Sequence, residues 1–70
     1  KGASVNMADN HGWTALMDAS YKGQAANVKL LLAAGADVSM TNKNGRTALM
    51  LASSEGHAAV AALLRDAGAT

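Results

Sequence analysis

The 70-residue chain has no cysteine, no proline and no phenylalanine, and a single tryptophan and a single tyrosine are its only aromatics. Each absence removes a class of answer. Without cysteine there is neither a disulfide framework nor a thiolate metal site, which fits a reducing, intracellular compartment. Without aromatic mass a globular core of this size is hard to fill, whereas closely packed helices lined with Ala and Leu do not need it. Charge of one sign is also missing: six Lys and Arg stand against five Asp and Glu, a net of +1. No basic stripe is present to neutralise phosphates, so nucleic acid is not an expected partner. The longest apolar run, around Leu30-Leu31-Leu32-Ala33-Ala34, is far shorter than the roughly 20 residues a membrane helix needs.

What the chain does have is a repeat. Gly12-x-Thr14-Ala15-Leu16-Met17-x-Ala19-Ser20-x-x-Gly23 returns 33 residues later as Gly45-x-Thr47-Ala48-Leu49-Met50-x-Ala52-Ser53-x-x-Gly56. Leu30-Leu31 recurs as Leu63-Leu64, and Ala34-Gly35-Ala36 as Ala67-Gly68-Ala69. The start of the chain obeys the same spacing, since Gly2-Ala3-x-Val5-x-Met7 aligns with Gly35-Ala36-x-Val38-x-Met40. A fixed period of this length marks a solenoid made of one supersecondary unit.

Each period opens with a polar turn, Ala8-Asp9-Asn10-His11-Gly12 or Thr41-Asn42-Lys43-Asn44-Gly45, whose Asn, Asp and Gly supply turn chemistry. Thr14 and Thr47 then stand as helix N-caps. A short first helix follows, with Leu16, Ala19 and Ser20 on one face and Leu49, Ala52 and Ser53 in the next copy, ended by Gly23 or Gly56. Second helices are expected over Ala25–Ala34 and Ala58–Ala67, with apolar stripes Val28, Leu31, Leu32 and Val60, Leu63, Leu64. Gly35 and Gly68 close them, and Ala36-Asp37-Val38 is expected to run extended into the next turn. The four methionines recur with the period and are expected to fill gaps in the core.

The pattern D-x-x-G-x-T-x-L-x-x-A-x-x-x-G, ending in L-L-x-x-G-A-D-V, resembles the ankyrin repeat. The resemblance implies a mainly α fold, an ankyrin-type solenoid of turns or hairpins plus antiparallel helix pairs. Residues 1–70 are then one repeat segment: 1–7 the tail of a preceding copy, 8–40 a full copy and 41–70 a second, slightly truncated. Where the family has Thr-Pro-Leu-His, this chain has Thr14-Ala15-Leu16-Met17 and Thr47-Ala48-Leu49-Met50. Ala in place of the N1 proline costs little, because Ala is the best helix former. Met in place of His removes a polar tie and leaves more to packing. Asn27 stands where the family prefers an apolar side chain, which predicts a looser contact between the copies there. Arg65 and Asp66 replace the apolar Leu32 and Ala33 of the first copy, as in a terminal repeat. Since a repeat cannot bury its apolar face alone, the chain is expected to be part of a longer array and, if isolated, to be marginally stable or to stack end to end with another copy.

No catalytic constellation emerges, and the segment is read as non-enzymatic. Ser20 or Ser53 can be combined on paper with His57 and Asp66, but both serines are expected to be buried against a neighbouring helix, and no nucleophile elbow accompanies them. His11 and His57 lack the spaced partners of a metal site, and the turns lack the Lys-Ser/Thr of a phosphate loop, so no metal or cofactor is implied. Asp18 and Lys22 read as an i,i+4 ion pair. Trp13 and Tyr21, by contrast, fall outside the core positions of the repeat. In ankyrin-like proteins such places line the turn tips and the concave face, where partners bind, and Trp, Tyr and Arg dominate binding hot spots. The expected function is protein–protein recognition through Asn10, His11, Trp13, Asp18, Tyr21 and Lys22, then Lys43, Asn44, Arg46, Ser54 and Glu55. A non-binding spacer within a larger protein and a self-associating assembly are the alternatives.

Overall fold

The computed structural model describes residues 5–69, and contains four helices and no strand among them. They are α1 (Ala15–Lys22), α2 (Ala25–Ala33), α3 (Ala48–Ser54) and α4 (Ala58–Asp66). The two second helices each stop one residue short of the expected end.

Local chemistry explains where each helix starts. Thr14 is extended, and its hydroxyl accepts from the Met17 N–H at 3.2 Å; Thr47 does the same for Met50 at 3.3 Å. Each bond satisfies one of the donors that a helix start leaves unpaired. Gly23 ends α1 in the left-handed region at φ +73, and its N–H reaches back to the Ala19 and Ser20 carbonyls. An L side chain resists that conformation, which is why glycine recurs there.

The turns ahead of α1 and α3 are built alike. The Asp9 carboxylate accepts from the His11 and Trp13 N–H groups, both at 2.9 Å. The Asn42 side-chain carbonyl accepts from Asn44 at 2.9 Å and Arg46 at 3.1 Å. Between the layers the chain does not run extended as expected. Val38 and Ser39 form a turn, held where the Asp37 carboxylate accepts from both the Ser39 N–H and its hydroxyl.

Helix pairs α1/α2 and α3/α4 form two layers, and α1 packs on α3 as α2 packs on α4. The core between them takes Leu16, Met17, Ala19 and Val28 from the first layer, and Ala48, Leu49, Leu51, Ala52, Val60, Ala61 and Leu64 from the second. Leu16 and Leu49, equivalent by the repeat, are both buried. The expected stripes hold at Val28, Val60 and Leu64, while Leu31, Leu32 and Leu63 are half-buried against the core.

Each layer has two sides, and only one side of each meets the other layer among the described residues. Ser20 lies under α3 and is fully buried, whereas its equivalent Ser53 is exposed, contrary to expectation. The methionines divide in the same way. Met17 is buried, Met40 is half-buried, and Met7 and Met50 are exposed, so Met17 alone of the four is fully within the core. Asn27 does not loosen the contact between layers, because it lies on the outer side of α2, where its amide donates to the Gln24 side chain at 3.0 Å.

Candidate functional site

The expected contact residues fall on two adjoining regions. At the tips, Asn10, His11, Lys43, Asn44 and Arg46 are all exposed. The Lys43 N–H donates to the His11 carbonyl at 3.1 Å, which sets the two tips side by side. Gly12 makes this approach possible. A Cβ there would lie 2.9 Å from the Lys43 nitrogen, and its φ of +79 independently excludes most side chains.

Behind the tips stand the two aromatics. Trp13 and Tyr21 meet edge to face, with ring centroids 5.5 Å apart and planes at 83°, an arrangement favoured by their quadrupoles. Trp13 departs from expectation: it is half-buried and packs against the core, so its ring supports the layer as well as the surface. Tyr21 leans on it and remains 42% exposed. Lys22 and Asp18 form the expected ion pair at 3.4 Å on the exposed side of α1. Ser54 and Glu55 occupy the matching end of α3, and both are exposed.

One contact fixes how the ends of α1 and α3 are related. The His57 Nε2 lies 2.9 Å from the Tyr21 carbonyl oxygen, so Nε2 carries the hydrogen and donates. The imidazole lies directly over Gly23, where a Cβ would come within 2.6 Å of the ring. His57 thus serves the scaffold, and the glycine beneath it leaves room for the ring. The exposed Ser53 removes the burial objection to a Ser-His-Asp reading, but no hydrogen bond links Ser53 to His57 among the described residues.

Electrostatically the turns are anion-stabilising. The Trp13 and His11 backbone N–H groups hold the Asp9 carboxyl below the usual aspartate value. The Ser39 hydroxyl, with its N–H, does the same for Asp37. No group of three or more His, Asp or Glu side chains is placed to hold a metal ion among the described residues. No described helix is long and apolar enough to cross a membrane.

A groove that the sequence did not announce runs along α1 and α2 on the side away from the second layer. Its floor is Ala15, Ala19, Leu30 and Leu31, and Asp18, Gln24 and Asn27 line it as well. Asp18 therefore faces this groove as well as Lys22. The signal was present in the repeat register: Asp18 and Asn27 occupy the places of the buried Leu51 and Val60.

No curated protein matches the chain. A family model for ankyrin repeats (3 copies) matches residues 1–70. With that match along its whole length, and two layers that share capped first helices, glycine-closed turns and equivalent core positions, the chain belongs to the ankyrin repeat family.

Proposed function

We propose that the chain recognises a protein partner through the tips and the adjoining ends of α1 and α3. Ankyrin repeats are generally protein–protein interaction modules and are typically non-enzymatic. Residues 8–40 and 41–70 are read as successive copies of the unit, with 1–7 the end of a preceding one. The observation that carries the proposal is Tyr21. A large amphipathic ring is left 42% exposed beside Trp13, although α1 has room for it to be small, as Ser54 is in the next copy. Aromatic side chains of this kind offer contact area at little entropic cost. Around it stand Asn10, His11, Lys22, Lys43, Asn44, Arg46 and Glu55, a polar rim of both signs.

The test compares proteins captured by the wild-type chain with those captured by a Tyr21→Ala/Arg46→Glu variant. Lys29→Glu, an exposed change on α2, serves as the control. The first variant should lose the captured partner by tenfold or more in affinity, and the control should retain it. Capture that is equal in all three would overturn the assignment. Trp13 is the poorer probe, because its replacement also removes packing against the core.

A further inference from the structure

The chain has five asparagines, and the fold treats them unequally. The Asn6 side-chain oxygen accepts from the Asp37 N–H at 2.6 Å. Asn27 lies in α2, where its amide donates to the Gln24 side chain and the following Val28 N–H donates to the Gln24 carbonyl at 2.9 Å. Asn42 is buried, its oxygen holds two backbone N–H groups, and the Lys43 N–H after it bridges to His11. Asn10 is exposed, but the His11 N–H after it donates to the Asp9 carboxylate at 2.9 Å. Asn44 differs from all four. It is exposed, its side chain makes no hydrogen bond among the described residues, and the next residue is Gly45. The exposure belongs to the tip itself, since His11, one repeat earlier, is exposed with a layer beside it.

These differences bear on one reaction. An asparagine loses its amide when the backbone nitrogen of the next residue attacks its Cγ. The attack needs a reachable Cγ, a nitrogen that can shed its proton and a backbone that can swing the two together. Gly45 has no Cβ to crowd the approach, and glycine accepts the backbone angles that the ring demands. Its N–H donates to the neutral Asn42 carbonyl at 2.9 Å, a bond that closes an exposed turn. Such turns open at free energies well below that of global unfolding. The His11 N–H is paired instead with a carboxylate, whose charge opposes removal of the proton. Val28 is β-branched and held in a helix. Met7 and Lys43 each carry a side chain beside the nitrogen that would attack.

We infer that Asn44 is a site of spontaneous covalent modification, in which its amide is lost through a cyclic imide with Gly45 and the second tip is rebuilt. The Gly45 nitrogen gives its proton to solvent and bonds to Asn44 Cγ. The Cγ–Nδ2 bond breaks, and the nitrogen leaves as ammonia after taking a proton from water. Water then opens the imide, with nothing oxidised or reduced. Cleavage of the new nitrogen–Cγ bond leaves aspartate and the original main chain. Cleavage at the original peptide carbonyl leaves isoaspartate, whose main chain runs through Cβ and Cγ and is one carbon longer. Either product sets a carboxylate between Lys43 and Arg46. In isoaspartate the added carbon lies after the residue 44 N–H and before that of Gly45. The Lys43 bridge to His11 precedes it and stays, whereas the Gly45 and Arg46 bonds to Asn42 span it and are displaced. The tips remain side by side while the second changes shape and charge.

The test is peptide mapping by mass spectrometry on the full chain, held folded in mildly alkaline buffer at physiological temperature and sampled over weeks, beside a sample in urea. In the folded chain the amide-to-acid mass change should accumulate at Asn44 about tenfold or more faster than at any other asparagine, because glycine alone leaves the attacking nitrogen uncrowded. The product should divide between aspartate and isoaspartate, which fragmentation distinguishes. Asn44→Gln, whose longer side chain disfavours the ring, should abolish the change at that position. Asn44→Asp supplies the product with the original main chain. Against it, the aged wild type should show additional Gly45 and Arg46 amide resonances, with Lys43 little moved. An Asn44 amide that survives in the folded chain, whether or not the urea sample loses it, would overturn the inference. So would equal loss at Asn10, or an aged chain whose amide spectrum matches Asn44→Asp throughout. These readouts need no partner, so they stand apart from the reading of the tips as a recognition surface.

Discussion

Individual residues show what position in the stack does to identical chemistry. Ser20 and Ser53 are the same side chain one repeat apart, yet the Ser20 hydroxyl is fully buried with no hydrogen-bond partner among the described residues. Leaving such a group unpaired costs about 1–3 kcal/mol. Ser20→Ala should therefore raise the unfolding free energy by roughly 1–2 kcal/mol, and Ser53→Ala should change it by less than about 0.5 kcal/mol, both measured by urea melts. Asp9 and Asn42 offer a second pair. Both accept the same two backbone N–H bonds, but only Asp9 titrates, with its carboxyl held low by the Trp13 and His11 N–H groups. A carboxyl whose folded pKa is depressed stabilises the fold above its unfolded value, and that contribution is lost as pH falls through the folded one. The wild type should lose stability on acidification below the ordinary aspartate range of about 4. Asp9→Asn, which keeps an accepting oxygen, should flatten that part of the curve, leaving the portion due to Asp37, which is depressed in the same sense.

Elements are closed by glycine for two different reasons, and the repeat separates them. Gly12 and Gly45 hold the same turn position at φ +79 and +75. A Cβ at Gly45 meets open space, whereas at Gly12 it meets the backbone of the second turn. Gly45→Ala should cost about 1 kcal/mol for the left-handed backbone alone. Gly12→Ala should cost at least about 1 kcal/mol more, because the Lys43 backbone must shift, and thermal melts of the two variants should show that order. The helices themselves were legible in the sequence, because Thr caps, glycine stops and three-and-four spacing are local signals. What sequence did not disclose was which side of each helix is covered. Leu16, Ala19 and Ser20 were read with Leu49, Ala52 and Ser53 as equivalent buried sets, and Ser53 differs only because α3 has no further helix over it among the described residues. The same cause exposes Met50 and places Asn27 outside the contact it was expected to loosen. Trp13 is expected outside the core for another reason: its packing against Tyr21 and the core depends on where its ring is turned, which no spacing rule contains.

The described residues form two layers joined by one apolar junction, in which Leu64 is wholly buried. Stability of folded domains runs near 0.05–0.15 kcal/mol per residue, so roughly 4–10 kcal/mol for a chain of this size. Leu64→Ala, at about 2–5 kcal/mol, removes a large share of that. Since each layer depends on the other for burial, the loss should be felt in both. Trp13 fluorescence reports on the first layer although Leu64 belongs to the second. In Leu64→Ala its transition should shift to lower denaturant together with far-UV circular dichroism, whereas a Trp13 transition that stays in place would show that the layers unfold independently. The expectation of recognition arises at the same scale, since the repeat itself directs attention to the tips and the two aromatics; the grooves were not legible, because they exist only as differences between one layer and the next.

The bridge between the tips runs from the Lys43 N–H to the His11 carbonyl, main chain to main chain. No side chain takes part in that bridge, and the side chains that shape the turns are Asp9 and Asn42. Positions 10, 11, 43 and 44 can thus be rewritten with the frame intact, which makes them a vocabulary open to change in a grammar held fixed by glycine, peptide groups and those two side chains.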